Sequence, residues 1–81
     1  MNPYQIQLLK LNLLALAVYE STCPIEELLI TKWEDIHLDD ESISLWINGN
    51  KLVIKNVHFC IFLKELYRTS SPKKSEYIFL D

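Results

Sequence analysis

The first helical segment of the chain, over about residues 4–20, carries apolar side chains on most of its sides. Pro3 can occupy the first turn of such a helix, and Asn2 can cap its free N–H groups. Two apolar stripes run along it, one at Ile6, Leu9, Leu13 and Leu16 and the other at Leu8, Leu11, Ala15 and Val18. A helix with so few polar residues needs other elements to cover it. We therefore expect a central core helix that is covered on most sides.

A short polar break separates this helix from a second one. Residues 21–23 interrupt the apolar pattern, and Pro24 fits the first position of a helix because its missing N–H is not needed there. Glu26 and Glu27 favour a helix N-terminus through the helix dipole, and the pattern predicts an end near Lys32. The polar connection that follows should end in a turn.

The period of the apolar pattern changes from helical to alternating at Ile43. Ile43, Leu45 and Ile47 alternate with polar residues and Trp46, and an apolar segment returns after Asn48-Gly49. Because Asn-Gly is a strong signal for a two-residue turn, the sequence predicts a β-hairpin over about residues 43–57.

A third helix and a short apolar segment complete the chain. Apolar side chains at helical spacing predict an amphipathic helix over about residues 59–68, and residues 69–75 have the composition of a linker. Residues 77–80 fit a short strand or an anchoring tail. The element order predicts one α+β domain over residues 1–81, with two N-terminal helices, a β-hairpin in a small antiparallel sheet, a third helix and a short C-terminal strand.

Composition limits the class of protein. With 49% hydrophobic and 23% charged residues, the 81-residue chain is too apolar for disorder and should form a single small domain. Eight basic and eleven acidic residues give a net charge of -3, which opposes a phosphate backbone at long range. Generic binding to nucleic acid is therefore disfavoured.

The cysteine pattern and the N-terminal segment bear on the compartment. Cys23 and Cys60 have no metal-type spacing, so we expect two reduced thiols in a cytoplasmic protein, and we expect no metal and no cofactor. The N-terminal apolar run has no small-residue cleavage site and falls short of the ~20 residues that a membrane span needs. We expect neither a signal peptide nor contact with a membrane.

One longer pattern joins the break, the second helix and the segment after it. It reads Ser21-Thr22-Cys23-Pro24-Ile25-Glu26-Glu27-Leu28 and closes with Lys32-Trp33-Glu34-Asp35-Ile36-His37. This pattern resembles the start of the catalytic domain of tyrosine recombinases, the phage-integrase family, in which the turn reads Thr-Gly-Leu-Arg-Ile-Ser-Glu-Leu and a Trp-x-Asp-Ile segment follows. The similarity covers about residues 8–79. The family's first catalytic arginine falls on Pro24, and its glutamate falls on Glu27.

The resemblance implies a scaffold without the chemistry. Family members bind the scissile phosphate with two arginines and attack it with a tyrosine, because fixed cations stabilise the added negative charge. Pro24 carries no charge, and the chain contains no His-x-x-Arg sequence. We therefore expect no catalytic residue and no enzyme activity. Trp33 and Asp35 should be structural, and His37, where the family commonly has Asp, receives no role.

Six residues remain as candidates for binding. The resemblance implies that a hairpin lysine reaches DNA, and Lys51 is nearest to that position. Four lysines of the second half are candidate DNA contacts, namely Lys51, Lys55, Lys73 and Lys74. Lysines at such positions are also common as solvated surface charges. Trp46 and Phe79 are candidate interface residues, and a second buried face would explain Trp46 equally well.

The sequence supports three hypotheses about function. In the first, the chain is a non-catalytic protein-interaction module that resembles half of a recombinase catalytic domain. Half of such a domain leaves apolar surface uncovered, which favours self-association or a recombinase-like protein partner, as in a regulator from a phage or a mobile element. The second is a cleavage-deficient regulator that binds DNA weakly, and the third is a fragment of a longer integrase-like protein. None of the three requires a small-molecule substrate.

Overall fold

The computed structural model describes residues 2–80, and it begins with the long helix that the sequence predicts. Helix α1 spans Pro3–Ser21. Asn2 caps it: the Asn2 side-chain oxygen accepts from the Gln5 N–H at 2.8 Å, and the Asn2 N–H donates to the Gln5 side chain at 3.0 Å. This reciprocal pair satisfies two groups that the first helical turn leaves open. Thr22 ends the helix in a left-handed conformation, with φ at 56°.

The second helix is shorter than expected. Helix α2 spans Ile25–Leu29, and Pro24 is the residue before it rather than its first helical residue. Its end near Lys32 was predicted wrongly, because the chain leaves the helix at Ile30 and enters a single 3₁₀ turn at Trp33–Asp35. Leu28 is the one fully buried side chain of α2, and through it the helix packs on the core.

Three antiparallel strands form the sheet, in the order β1-β2-β3. Strand β1 spans Ile36–Leu38, β2 spans Ile43–Ile47 and β3 spans Asn50–Ile54. The predicted hairpin is confirmed. Asn48 and Gly49 both have positive φ, at 52° and 78°, as a tight hairpin turn requires. Strand β1 was missed because three residues followed by acidic side chains give no readable alternation.

Helix α3 and the C-terminal segment close the domain. Helix α3 spans Val57–Ser70, two residues longer at each end than predicted, with the Asn56 side chain accepting from the Phe59 N–H at 3.0 Å. The predicted C-terminal strand is wrong. Only an isolated bridge joins Tyr77 to Lys32, because the segment meets one short extended stretch rather than a free sheet edge.

The core lies between one face of the sheet and the helices. Its fully buried side chains come from every layer: Leu13, Leu28, Ile43, Leu45, Ile54, Phe59, Leu63, Leu66 and Ile78. The α+β class and the single layer of sheet against helices agree with the sequence prediction. No helix within residues 2–80 has the length and apolarity to cross a membrane.

Candidate interaction surface

The outer side of α1 carries a row of exposed apolar residues, which we name the α1 face. It consists of Tyr4, Leu8, Leu11, Ala15 and Tyr19. At about 100° per residue these five positions fall within about 80° of the helix circumference. Tyr4 is 69% exposed, Leu11 62% and Tyr19 81%. Apolar side chains therefore lie on the solvent side of a helix whose opposite side already forms part of the core.

No charged side chain belongs to this side of α1. The helix has two charged residues, Lys10 and Glu20, and both lie away from the α1 face by helical geometry. The Glu20 carboxylate accepts from the Asn56 side chain at 3.1 Å, next to the start of α3. Surface helices normally carry charged and polar residues on their outer side. Aromatic enrichment with depletion of charge is instead typical of the centre of a protein interface.

Two shallow, largely apolar grooves border the α1 face, each with one charged residue in its lining, Glu65 in the first and Lys10 in the second. On one side, Leu8 and Leu9 line a groove together with Phe62 of α3. On the other side, Leu11 lines a groove with Leu29 and Leu80. Phe62 and Leu80 are themselves 44% and 42% exposed. The exposed apolar surface thus continues from the α1 face onto α3 and onto the C-terminal segment.

Most of these residues belong to the two apolar stripes of α1, which were predicted to be buried. The sequence pattern predicted that α1 is covered on most sides, whereas Leu13, Leu14 and Ala17 are its only buried residues in the structure. The other elements are too few and too short to enclose a 19-residue helix. The second apolar stripe, at Leu8 and Leu11, was the signal that could have identified this surface.

The turn that resembles the recombinase motif has no cation at the position of the family's arginine. Pro24 is exposed at the start of α2. Glu27 joins two turns instead: its carboxylate accepts from the Cys23 thiol at 3.3 Å and from the Asn48 side chain at 2.7 Å. Both hydrogen-bond donors are neutral, so the Glu27 carboxylate makes the surroundings of this turn more negative. The arrangement stabilises the fold and is unsuited to a phosphate.

Trp33 and Asp35 have structural roles, as the sequence predicts. The Trp33 ring is buried and lies 5.3 Å from the Tyr67 ring, measured between centroids. The Asp35 carboxylate accepts from the Lys32 N–H at 3.0 Å and so caps the 3₁₀ turn.

The four candidate lysines lie in three separate parts of the fold. Lys51 is the second residue of the edge strand β3, and its ammonium lies over the Trp46 ring, 5.9 Å from the centroid. Lys55 follows the other end of β3 and lines a cleft that also contains Asp40 and Glu41. Lys73 and Lys74 lie in the turn beside the 3₁₀ helix. Acidic residues adjoin Lys55, Lys73 and Lys74, and Lys51 lies apart from them, so the lysines do not define one basic face.

The backbone carbonyls of Lys73 and Lys74 accept hydrogen bonds from the N–H groups of two acidic residues. The Glu34 N–H donates to the Lys74 carbonyl at 3.0 Å, and the Glu76 N–H donates to the Lys73 carbonyl at 3.0 Å. Both lysine side chains are exposed. Their surroundings are those of a solvated turn.

The two candidate interface residues differ in exposure. Trp46 is 49% exposed and lies on the sheet face opposite Ile43, Leu45 and Ile47, so no second buried face covers it. Phe79 is only 8% exposed and packs in the core. The assignment of Phe79 as an interface residue therefore needs correction, because its ring belongs to the buried core and presents little surface to a partner. Trp46 keeps a ring that a partner could contact.

Both cysteines are free thiols, and neither is activated. Burial raises the pKa of the Cys23 thiol, and the hydrogen bond to the Glu27 carboxylate and its negative charge raise it further. Burial also raises the pKa of the Cys60 thiol, against a smaller opposite effect of Lys64. Since the thiolate is the reactive form, both cysteines are poor nucleophiles near neutral pH.

The raised pKa predicts slow alkylation of the Cys23 thiol, and it predicts that one substitution, Glu27→Gln, makes the reaction faster. At pH 8, iodoacetamide should modify Cys23 more slowly than it modifies an unstructured cysteine peptide, and Glu27→Gln should accelerate the reaction several-fold because the negative charge is removed. Mass spectrometry of the modified peptides against pH measures both rates, with buried Cys60 as an internal control. An unchanged Cys23 rate in Glu27→Gln would contradict the role given to Glu27.

The structure thus describes a small α+β domain whose most distinctive feature is an uncovered, uncharged helix face. Across residues 2–80, His, Cys, Asp and Glu side chains form no cluster suited to a metal ion. No family model, curated protein or solved structure matched the chain when each was compared with it.

Proposed function

We propose that the chain is a non-catalytic protein-interaction module that acts in the cytoplasm. Its scaffold corresponds to the first half of a tyrosine-recombinase-like catalytic domain, and its role is that of a regulator in a phage or mobile element. It binds a protein partner, either another copy of itself or a recombinase-like protein. The α1 face is the binding surface.

The observation that carries this proposal is the combination of exposure and missing charge on α1. Tyr4, Leu11 and Tyr19 are each more than 60% exposed, on a helix side without a charged residue. A contiguous apolar patch of this kind favours a protein contact, because covering it removes apolar area from water. The tyrosines suit this use, since their rings contribute area while their hydroxyls tolerate water before binding.

The absence of catalysis in the proposal follows from the recombinase-like turn. Pro24 stands where a cation would bind phosphate, and the Glu27 carboxylate nearby would repel a phosphate. The free thiols of Cys23 and Cys60 suit a reducing compartment. The order of helix, helix, antiparallel sheet and helix supports the recombinase-like scaffold, although it would serve other α+β domains as well.

A capture experiment with a matched pair of variants tests the proposal. Leu11 and Ile30 have the same exposure, 62%, but only Leu11 belongs to the α1 face. The immobilised chain is incubated with a lysate of cells that encode it, and the retained proteins are identified by mass spectrometry. Wild type and Ile30→Lys should retain the same protein, and Leu11→Lys should retain at least about tenfold less of it, because a lysine would be buried in the contact.

The contradicting results are equally defined. Retention of the same proteins by all three chains would place the contact elsewhere than the α1 face. Retention of no protein, not even a differently tagged copy of the chain, would remove the support for an interaction module.

A further inference from the structure

We propose that the partner of the α1 face is a second copy of this chain, which packs its own α1 antiparallel across a two-fold axis. This inference rests on the proposed function and deepens it by naming the occupant. The axis passes close to Leu11 and Asn12, in the middle of the helix. The contact is isologous, so that each copy offers the same residues to the other.

The lack of charge favours a second copy over a partner of different sequence. In a two-fold contact a charged residue near the axis meets its own copy, and like charges at short range destabilise the contact. The outer side of α1 has no such charges. The residues between and beside its apolar positions carry neutral amide side chains: Gln5, Gln7 and Asn12. A partner chosen by charge complementarity would instead require charged residues here.

Side-chain size determines the antiparallel direction. With the axis between Leu11 and Asn12, Leu8 of one copy lies opposite Ala15 of the other, and Tyr4 lies opposite Tyr19. Large side chains then face small ones in the inner layer, which fills space without a gap. A parallel pair would place Ala15 against Ala15 and leave a void. Antiparallel packing also sets the two helix dipoles in the favourable relative orientation.

The available area agrees with a weak, reversible dimer. Helix α1 is about 28 Å long at 1.5 Å per residue. Taking roughly 200 Å² for a whole tyrosine, the exposed parts of Tyr4 and Tyr19 amount to about 300 Å² per copy. Adding Leu8, Leu11 and the bordering Phe62 brings the total for both copies to about 1,000 Å², at the lower limit for a specific interface. We expect a dissociation constant on the order of 10–100 µM.

Analytical ultracentrifugation of the purified chain tests self-association directly. Sedimentation equilibrium from about 5 µM to about 1 mM should fit a monomer–dimer equilibrium in the expected range. Leu11→Lys should weaken the dimer at least about tenfold, because two ammonium groups would meet near the axis, whereas Ile30→Lys should leave it within about twofold. Circular dichroism verifies that both variants are folded. A monomer throughout the range overturns the inference, and so does a dimer that Leu11→Lys leaves unchanged.

Disulfide trapping tests the direction and register. In a Cys23→Ser background, Tyr4→Cys and Tyr19→Cys chains carry different tags and are mixed before mild oxidation; buried Cys60 stays in place as a poor reactant. The antiparallel dimer predicts mixed disulfides between a Tyr4→Cys copy and a Tyr19→Cys copy. Disulfides within each variant alone would indicate a parallel pair and overturn the proposed arrangement.

The capture experiment separates failure of this inference from failure of the proposed function. A chain that is monomeric in the centrifuge, but retains another protein through Leu11, overturns the dimer and leaves the interaction module standing. A monomer that also retains no protein overturns both.

Discussion

Trp33→Ala should lower the free energy of unfolding by about 3–5 kcal/mol, the range observed when a large buried aromatic residue is truncated. A domain of this length has about 4–12 kcal/mol in total. The substitution should therefore remove a large part of the stability and leave a substantial unfolded fraction at 37 °C.

The expected loss is large because Trp33 joins three parts of the fold. Its side chain is 5% exposed and contacts the Tyr67 ring of α3. Its backbone N–H donates to the Glu76 carbonyl at 3.0 Å, so the same residue contacts the C-terminal segment. Removing the ring leaves a cavity where the 3₁₀ turn, α3 and this segment meet, and the lost packing adds to the lost burial.

The second tryptophan provides a matched control. Trp46 is 49% exposed, and its ring contact with the Lys51 ammonium contributes little. Trp46→Ala should cost about 1 kcal/mol or less. Urea unfolding followed by far-ultraviolet circular dichroism measures both variants on the same scale. Equal losses for the two substitutions would contradict the assignment of Trp33 to the core and of Trp46 to the surface.

Ile78→Ala should lower the free energy of unfolding by about 2–5 kcal/mol, as for a fully buried isoleucine. Ile78 has no exposed surface, and its N–H donates to the Thr31 carbonyl at 3.1 Å. Residues 71–80 contain no helix or strand, so the buried side chains of Ile78 and Phe79 and a few backbone hydrogen bonds fasten the segment to the domain. Weakening this attachment at Ile78 should release the segment before the remainder unfolds.

Leu80→Ala is the control for this prediction, since Leu80 is 42% exposed and lies two residues away. It should cost less than about 1 kcal/mol. Thermal unfolding compares the two variants, and limited trypsin digestion detects cleavage at Lys73 and Lys74 in native buffer. Ile78→Ala should be cut there much faster than wild type and Leu80→Ala. Similar stability and cleavage for all three chains would show that the segment is a loose tail.

Elements with a strong local signal could be predicted from the sequence. Asn2 and Pro3 define the start of α1, and Asn48-Gly49 defines the hairpin turn, because capping and positive φ depend on residues close in sequence. The helical spacing of Phe59, Leu63 and Leu66 identified α3 for the same reason. The bounds of the two helices differ from the structure by one or two residues, and the hairpin ends three residues earlier than predicted.

Features that depend on distant partners could not be predicted. Strand β1 exists because Ile36, His37 and Leu38 pair with β2, and three residues carry no period of their own. The C-terminal segment has strand-like composition, but it meets residues 31–34, which form no strand, and makes only one isolated bridge there, between Tyr77 and Lys32. The exposure of α1 likewise depends on how much chain is present to cover it, which local sequence does not encode.

The candidate site was predicted in part. The sequence left Trp46 open between an exposed ring and a second buried face, and it indicated that apolar surface would remain uncovered. It did not place that surface on Leu8 and Leu11, because a helix that is apolar on all sides reads as buried. Only the tertiary arrangement distinguishes the side of α1 that packs on α3 and the sheet from the side that does not.

In the proposed interaction, the division of α1 into two apolar sides separates the requirements for folding from those for recognition. Leu13 and Ala17 cannot change without disturbing the core, whereas Tyr4, Leu11 and Tyr19 can change without cost to it. Substitution of these few exposed residues could therefore alter the specificity for a partner while the domain remains intact. One side of α1 would then hold the fold together, and the other would determine which partner is bound.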